Sequence, residues 1–320
     1  MKKTVVFLAV AILILLCGCS GNSYLTIDGK SVEPEWVLKI DDFEIGLEEY
    51  RYYFLNLKRG AGLSDEEWTD EAEEQLRSDA VEYILVNYAV EKYTAQMGVA
   101  LDDSDMEKVE KEIAKMIKDC GGKKKYRETL ASNYMTEDIY RMLVTSSFLQ
   151  KKLNDVIFNG DGVHALSEES IREKIDNEYI RVRYLMLKHG DGKQEQAESL
   201  LARIRAGEDF VNLVNSEGEE STMNGNPDGI YFREGMVEEG FYDVVSALEI
   251  NAISDVYNGV DGYYIIKRLP LEQAYIDENI ENFIDLEKQN IFSVEVGAIA
   301  DAMKIEYCDV YEQITTKTLK

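Results

Sequence analysis

The sequence has 320 residues, 45% of them hydrophobic and 10% aromatic, which is enough for two folded domains with real cores. Its 62 acidic against 35 basic side chains give a net charge of −27, the opposite of the basic footprint that nucleic-acid binding needs. The acids run along the whole chain, as in a solvated surface, rather than forming one block. The only histidines are His164 and His189, with no cysteine beside them, so neither a zinc site nor any other cofactor is expected.

The chain opens with Lys2 and Lys3 and then an apolar run from Val5 to Leu16. That run is shorter than the roughly 20 residues a membrane-spanning helix requires, and reads as a signal sequence. Leu16-Cys17-Gly18-Cys19 follows and resembles a bacterial lipobox. The resemblance implies cleavage after residue 18, lipidation of Cys19, and an extracytoplasmic protein anchored to the cell membrane. Residues 19–34 are polar and read as a tether. Of the later cysteines, Cys120 and Cys308, both a mutual disulfide and two separate buried thiols are compatible with such a setting.

Trp36–Ile40 and Phe43–Ile45 read as short strands around a turn at Asp41-Asp42. From Gly46 the apolar period becomes helical, through Leu47, Tyr50, Phe54 and Leu57. Ser64-Asp-Glu-Glu67 has capping-box form and predicts a long helix to about Met97, ended by Gly98. Asp102-Asp-Ser104 opens another, stopped by Gly121-Gly122; Tyr126–Ala131 and a helix capped by Thr136 and reaching Val156 follow. These helices carry aromatic and apolar residues along their faces.

After Asn159-Gly-Asp-Gly162 and a short helix over 167–178, the pattern changes. Strands are predicted at 181–187, 230–233, 254–257 and 263–269, with helices at about 194–206, 208–215 and 238–248 between them. Pro270 ends this region. A helix over 277–303 and a strand over 304–310 cannot form a core alone. They are expected to pack on the N-terminal helices, with the last strand beside 36–40. The fold class is therefore α+β: a discontinuous, mostly helical domain (35–166 and 273–314) with an α/β domain (167–272) inserted.

Two strands carry the main resemblance. Arg181-Val-Arg-Tyr-Leu-Met-Leu-Lys188 and Gly262-Tyr-Tyr-Ile-Ile-Lys-Arg-Leu269 look like the first and last strands of a parvulin domain, a peptidyl-prolyl cis/trans isomerase fold. Between them, the helix from Ala197, the Gly-Glu-Asp-Phe210 break, Met236-Val237 with Phe241, and Ile253-Ser-Asp-Val256 follow the parvulin order over about 90 residues. The whole layout resembles the PrsA-type foldase lipoproteins of Gram-positive bacteria and the SurA-type periplasmic chaperones. That implies unfolded or newly secreted clients as partners, besides the membrane reached through the N-terminal lipid.

Catalysis in this fold breaks no bond. It lowers a rotational barrier of about 18–20 kcal/mol by holding proline in an apolar pocket and favouring the twisted amide. The resemblance places Met236 and Phe241 in that pocket, and Tyr231 is a further candidate wall. It also places a polar cluster beside the pocket, where parvulins carry two histidines and a Cys or Asp. Here Tyr184 and Tyr264 occupy the histidine positions, and Glu219 lies nearest the third, with Glu217 the alternative. His189 falls past the strand end and on the other face, so it is no substitute. The loop Gly225-Asn-Pro-Asp-Gly229 also lacks the family's apolar residue before its last glycine. Three readings follow: a folding factor with weak or absent isomerase activity, a fully active isomerase, and a non-enzymatic binding module on the same scaffold.

Overall fold

The structure is a computed structural model that describes residues 24–320. The expected signal segment 1–18, the lipid-bearing Cys19 and the start of the expected tether lie outside the described residues. Among the described residues no helix is long and apolar enough to cross a membrane. The chain divides into a helical unit, running up to Ala165 and resuming over Ile291–Lys320, and a second unit over Leu166–Asn290.

The helical unit opens on a hairpin, β1 (Leu25–Ile27) and β2 (Lys30–Val32), where a tether was expected. Asp28 and Gly29 both take positive φ (52° and 74°), as a two-residue hairpin turn requires. Leu25 is fully buried and bridges to Leu319, which fixes the hairpin in the core. Next come β3 (Leu38–Ile40) and β4 (Phe43–Ile45), then α1 (Leu47–Ala61), α2 (Asp70–Gln96) and α3 (Asp103–Asp119). They are followed by α4 (Lys123–Ser132) and α5 (Glu137–Phe158).

The start of α2 differs from the sequence reading. Ser64 and Glu67 do bond reciprocally, but they close a separate turn, and the helix begins after Thr69, whose hydroxyl accepts from the Ala72 N–H. Trp68, nearly buried, occupies the intervening position as a plug in the core. Asp102 caps α3 in a reciprocal box with Asp105, and Thr136 caps α5. Tyr50, Phe54, Ile84, Tyr88, Leu153 and Ile157 form the centre of this core.

The second unit contains α6 (Glu168–Glu178), β5 (Ile180–Lys188), α7 (Lys193–Arg205), α8 (Phe210–Glu217) and α9 (Thr222–Gly225). It continues through β6 (Ile230–Phe232), α10 (Glu239–Ser246), β7 (Tyr257–Asn258) and β8 (Gly262–Leu269). The sheet order is β6-β5-β8-β7 and every pairing is antiparallel. Gly262 is confined to glycine by packing: a Cβ there would lie 2.1 Å from the Leu187 carbonyl oxygen.

The helix α11 (Gln273–Asp301) was expected to belong wholly to the helical unit, and it does not. Its first part, with Ile276, Phe283 and Ile284, packs on Ile171, Ile175 and Tyr179. Short α6 has too few apolar residues to make that cluster alone. Within it, Glu287 is 1% exposed and accepts from Arg233 Nε (2.6 Å), Arg233 Nη2 (2.7 Å) and the Tyr179 hydroxyl (2.6 Å). The later residues Phe292, Val296 and Ala300 join the helical core. The last strand, β9 (Ile305–Tyr307), pairs antiparallel with β3, Leu38 opposite Tyr307, as anticipated. Beyond it the chain turns through Tyr311–Gln313, and the Lys320 N–H bonds to the Tyr24 carbonyl at 2.9 Å. Cys120 and Cys308 are unbridged thiols, each half-buried.

Candidate active site

Strand pairing dictates which side chains meet. Tyr184 lies opposite Ile266, and Met186 opposite Tyr264, so Tyr184 and Tyr264 are diagonal neighbours on one face of the sheet. Ile180 pairs with Phe232, which puts Phe232 on that same face. Phe241, projecting from α10, completes the group. The ring centroids of Tyr184 and Tyr264 are 5.4 Å apart, those of Phe241 and Tyr264 5.5 Å, and those of Tyr184 and Phe241 6.0 Å. All three pairs are edge-to-face, the arrangement the aromatic quadrupole favours. Phe232 stands 5.7 Å from Phe241, and Tyr257 stands 6.1 Å from it. Met236 is half-buried and packs against the same cluster.

The polar groups of this cluster are tyrosine hydroxyls and carboxylates. The Tyr184 hydroxyl donates to Glu220 Oε2 at 3.0 Å. Glu220 Oε1 accepts from the Thr222 N–H at 2.8 Å and from the Thr222 hydroxyl. Across the cluster the Tyr257 hydroxyl donates to Glu238 Oε1 at 2.8 Å. Burial, then the negative charge of Glu220, raises the Tyr184 pKa further above the ordinary phenol range. Burial, then the charges of Asp261, Glu220 and Glu238, pushes Tyr264 up to about 12. Burial and the bond to Glu238 push Tyr257 up to about 12. These phenols are therefore neutral donors at physiological pH. They can orient a peptide carbonyl, but they cannot alternate donor and acceptor at two ring nitrogens as imidazole does.

Three of the expected site residues lie elsewhere. Glu219 accepts from the Lys188 N–H (2.9 Å) and from Lys193 Nζ, so it holds the end of β5 to the start of α7. Its carboxyl pKa is lowered, chiefly by the Lys193 hydrogen bond. Glu217 pairs with Arg203 at 3.2 Å. Glu220, which the sequence reading passed over, is the acid of this loop that reaches the cluster, through Tyr184. Tyr231 is no wall of the pocket, because strand alternation sends it to the face opposite Phe232. There it stacks on Tyr275 (5.0 Å) and meets Phe283 (5.3 Å), with the Arg181 guanidinium 5.6 Å from its ring. His189 contacts the Gly259 carbonyl and Tyr263, again away from the cluster.

The loop from Gly225 to Gly229 is secured by two buried arginines of β5. Arg183 donates to the Pro227 carbonyl and to Asn215 Oδ1, and Arg181 donates to the Asp228 carbonyl. Gly229 is at φ +84°, and a Cβ there would lie 2.5 Å from the Val182 carbonyl oxygen. A glycine is thus required for the loop to enter β6 so close to β5.

Two family models match the chain. Residues 1–154 match the SurA-like N-terminal domain, and residues 167–269 match the PPIC-type PPIASE domain. No curated protein matches. Among solved structures, the peptidylprolyl isomerase PrsA from Bacillus anthracis is similar at 18% identity, covering 69% of this chain and 93% of its own, with a TM-score of 0.40. The foldase protein PrsA from Streptococcus pneumoniae shows 22% identity, 77% and 93% coverage, and a TM-score of 0.34. The parvulin of Nitrosopumilus maritimus shows 23% identity over 29% of this chain and 98% of its own, with a TM-score of 0.26. Matched separately in its two parts, the chain combines a SurA-like N-terminal domain with a PPIC-type PPIase domain.

Proposed function

We propose that this protein is an extracytoplasmic folding factor, lipid-anchored through Cys19, whose PPIC-type domain binds proline-containing client segments but turns them over weakly. The observation that carries this reading is the Tyr184–Phe241–Tyr264 cluster. An apolar aromatic site is retained, while the imidazole pair expected of the family is replaced by neutral phenols, one of them committed to Glu220. Proline binding needs the apolar wall, which Met236, Phe232 and Phe241 supply. Rapid turnover needs polar groups that favour the twisted amide over both planar forms, and two neutral phenols supply that poorly.

The test is a proline-limited isomerisation measured with the mature protein on a short X-Pro peptide. The expected result is measurable peptide binding, lost in Met236→Ala, with a rate enhancement within about tenfold of the uncatalysed step, or about 1.4 kcal/mol of barrier. Strong acceleration, abolished by both Met236→Ala and Phe241→Leu, would instead establish a fully active isomerase. Failure to bind either proline peptides or unfolded protein would leave only a non-enzymatic module.

A further inference from the structure

The helical unit contains a cavity of about 530 Å³ between α1 and α2, distinct from the aromatic cluster of the second unit. Its walls are mostly apolar: Tyr52 and Leu57 from α1, Leu63 and Trp68 from the connection, and Leu76 and Tyr83 from α2. Leu63 and Tyr83 stand open at the surface, 40% and 37% exposed. Trp68 is 8% exposed, and its indole N–H has no hydrogen-bond partner. An indole N–H is a donor only, and buried ones normally find an acceptor. The helical core has left this donor unsatisfied beside an open apolar groove.

Charge narrows the occupant. Residues 64–82 carry nine acidic side chains and one basic one, Arg77. Arg77 is buried and spent on the Ile314 carbonyl and Glu312. Asp79 is the only charged residue among those lining the cavity, and its Oδ1 accepts from the Gln75 side-chain amide at 2.6 Å. A groove with aromatic and leucine walls, lined by Asp79 and built from a strongly acidic stretch of chain, complements a peptide with apolar side chains and flanking lysine or arginine.

We propose that this α1–α2 groove is a peptide-binding site for extended, unfolded segments that pair apolar residues with basic ones and need no proline. A main-chain carbonyl of the segment supplies the acceptor that Trp68 lacks. This deepens the folding-factor reading and rests on it, but it is independent of the PPIC-type site.

The sequence holds two tryptophans, so Trp36→Phe in the full mature chain leaves Trp68 as the only indole reporter. The probe is a synthetic, proline-free peptide of Leu, Phe, Gly and Lys, with a matched peptide carrying Glu for Lys. The Lys peptide is expected to change Trp68 fluorescence saturably, and the Glu peptide to bind at least about tenfold more weakly. Leu63→Glu, at an exposed position, should weaken Lys-peptide binding about tenfold or more with an unchanged circular-dichroism spectrum. Asp79→Lys should narrow the difference between the two peptides, and Met236→Ala should change nothing. A silent Trp68, or binding indifferent to Leu63→Glu, overturns the groove while leaving the proline-site reading to its own assay. A Trp68 signal that follows protein concentration without peptide, with self-association abolished by Leu63→Glu, also overturns it, by assigning the groove to a second copy of the chain.

Discussion

Glu49 lies in the first turn of α1 with its carboxyl buried against Tyr88, whose hydroxyl is 3.2 Å from Oε2. Burial pushes its pKa from 4.5 up to about 7; the charge of Glu91 acts in the same direction and the Tyr88 hydrogen bond opposes it. A carboxyl whose folded pKa exceeds its unfolded value contributes stability fully below about pH 4.5 and loses it as pH rises through about 7. The helical unit should therefore weaken by about 2–3 kcal/mol between pH 4.5 and 8 through this group. Glu49→Gln keeps an acceptor for Tyr88 and should remove that dependence. Urea unfolding of both proteins at pH 5 and pH 8 checks this, and an equal pH response in the two would contradict it. The same scale shows why the site was only partly legible. Tyr184, Tyr264 and Phe241 sit in or beside regular elements, so sequence position fixed their faces. Tyr231 was misplaced although alternation with Phe232 already forbade it. Glu220 lies in a loop where neither spacing nor period says which of several acids turns inward, and only the bonds from Thr222 decide it.

At the level of elements, the junction of β1–β2 with the C-terminal tail is the part that sequence reading missed. The Asp28-Gly29 turn was a hairpin signal, but two three-residue strands are too short for a convincing period. Their partner lies at the far end of the chain, where no local pattern could announce it. Helices such as α3 and α5, by contrast, were delimited by caps that act within three residues. The tail contributes more than a loose end would. Leu319 is 1% exposed, Ile314 is fully buried, and Glu73 accepts from the Thr316 N–H at 3.0 Å. Leu319→Ala should destabilise the helical unit by about 2–5 kcal/mol. Guanidinium denaturation followed by circular dichroism would measure it, and a change below about 0.5 kcal/mol would show the tail to be dispensable.

Over the whole molecule, two units with separate cores should melt as two transitions. Leu319→Ala should move one and Phe241→Leu the other. The anchoring reading also belongs at this scale: Cys19→Ser should shift the protein from the membrane fraction to the soluble fraction, and persistence in the membrane would refute it. The pairing of Tyr24 and Thr26 with Lys320 and Thr318 bears on the order of events during synthesis. The second unit occupies one continuous stretch, so it can close as soon as residue 290 has emerged. The helical unit has to wait for residues near 319 before its first hairpin has anything to pair with. Until then its core is open and its apolar helices are exposed, and loop closure over nearly the whole chain sets the pace. The helical unit would thus pass through a slow, aggregation-prone stage while the second unit is already folded.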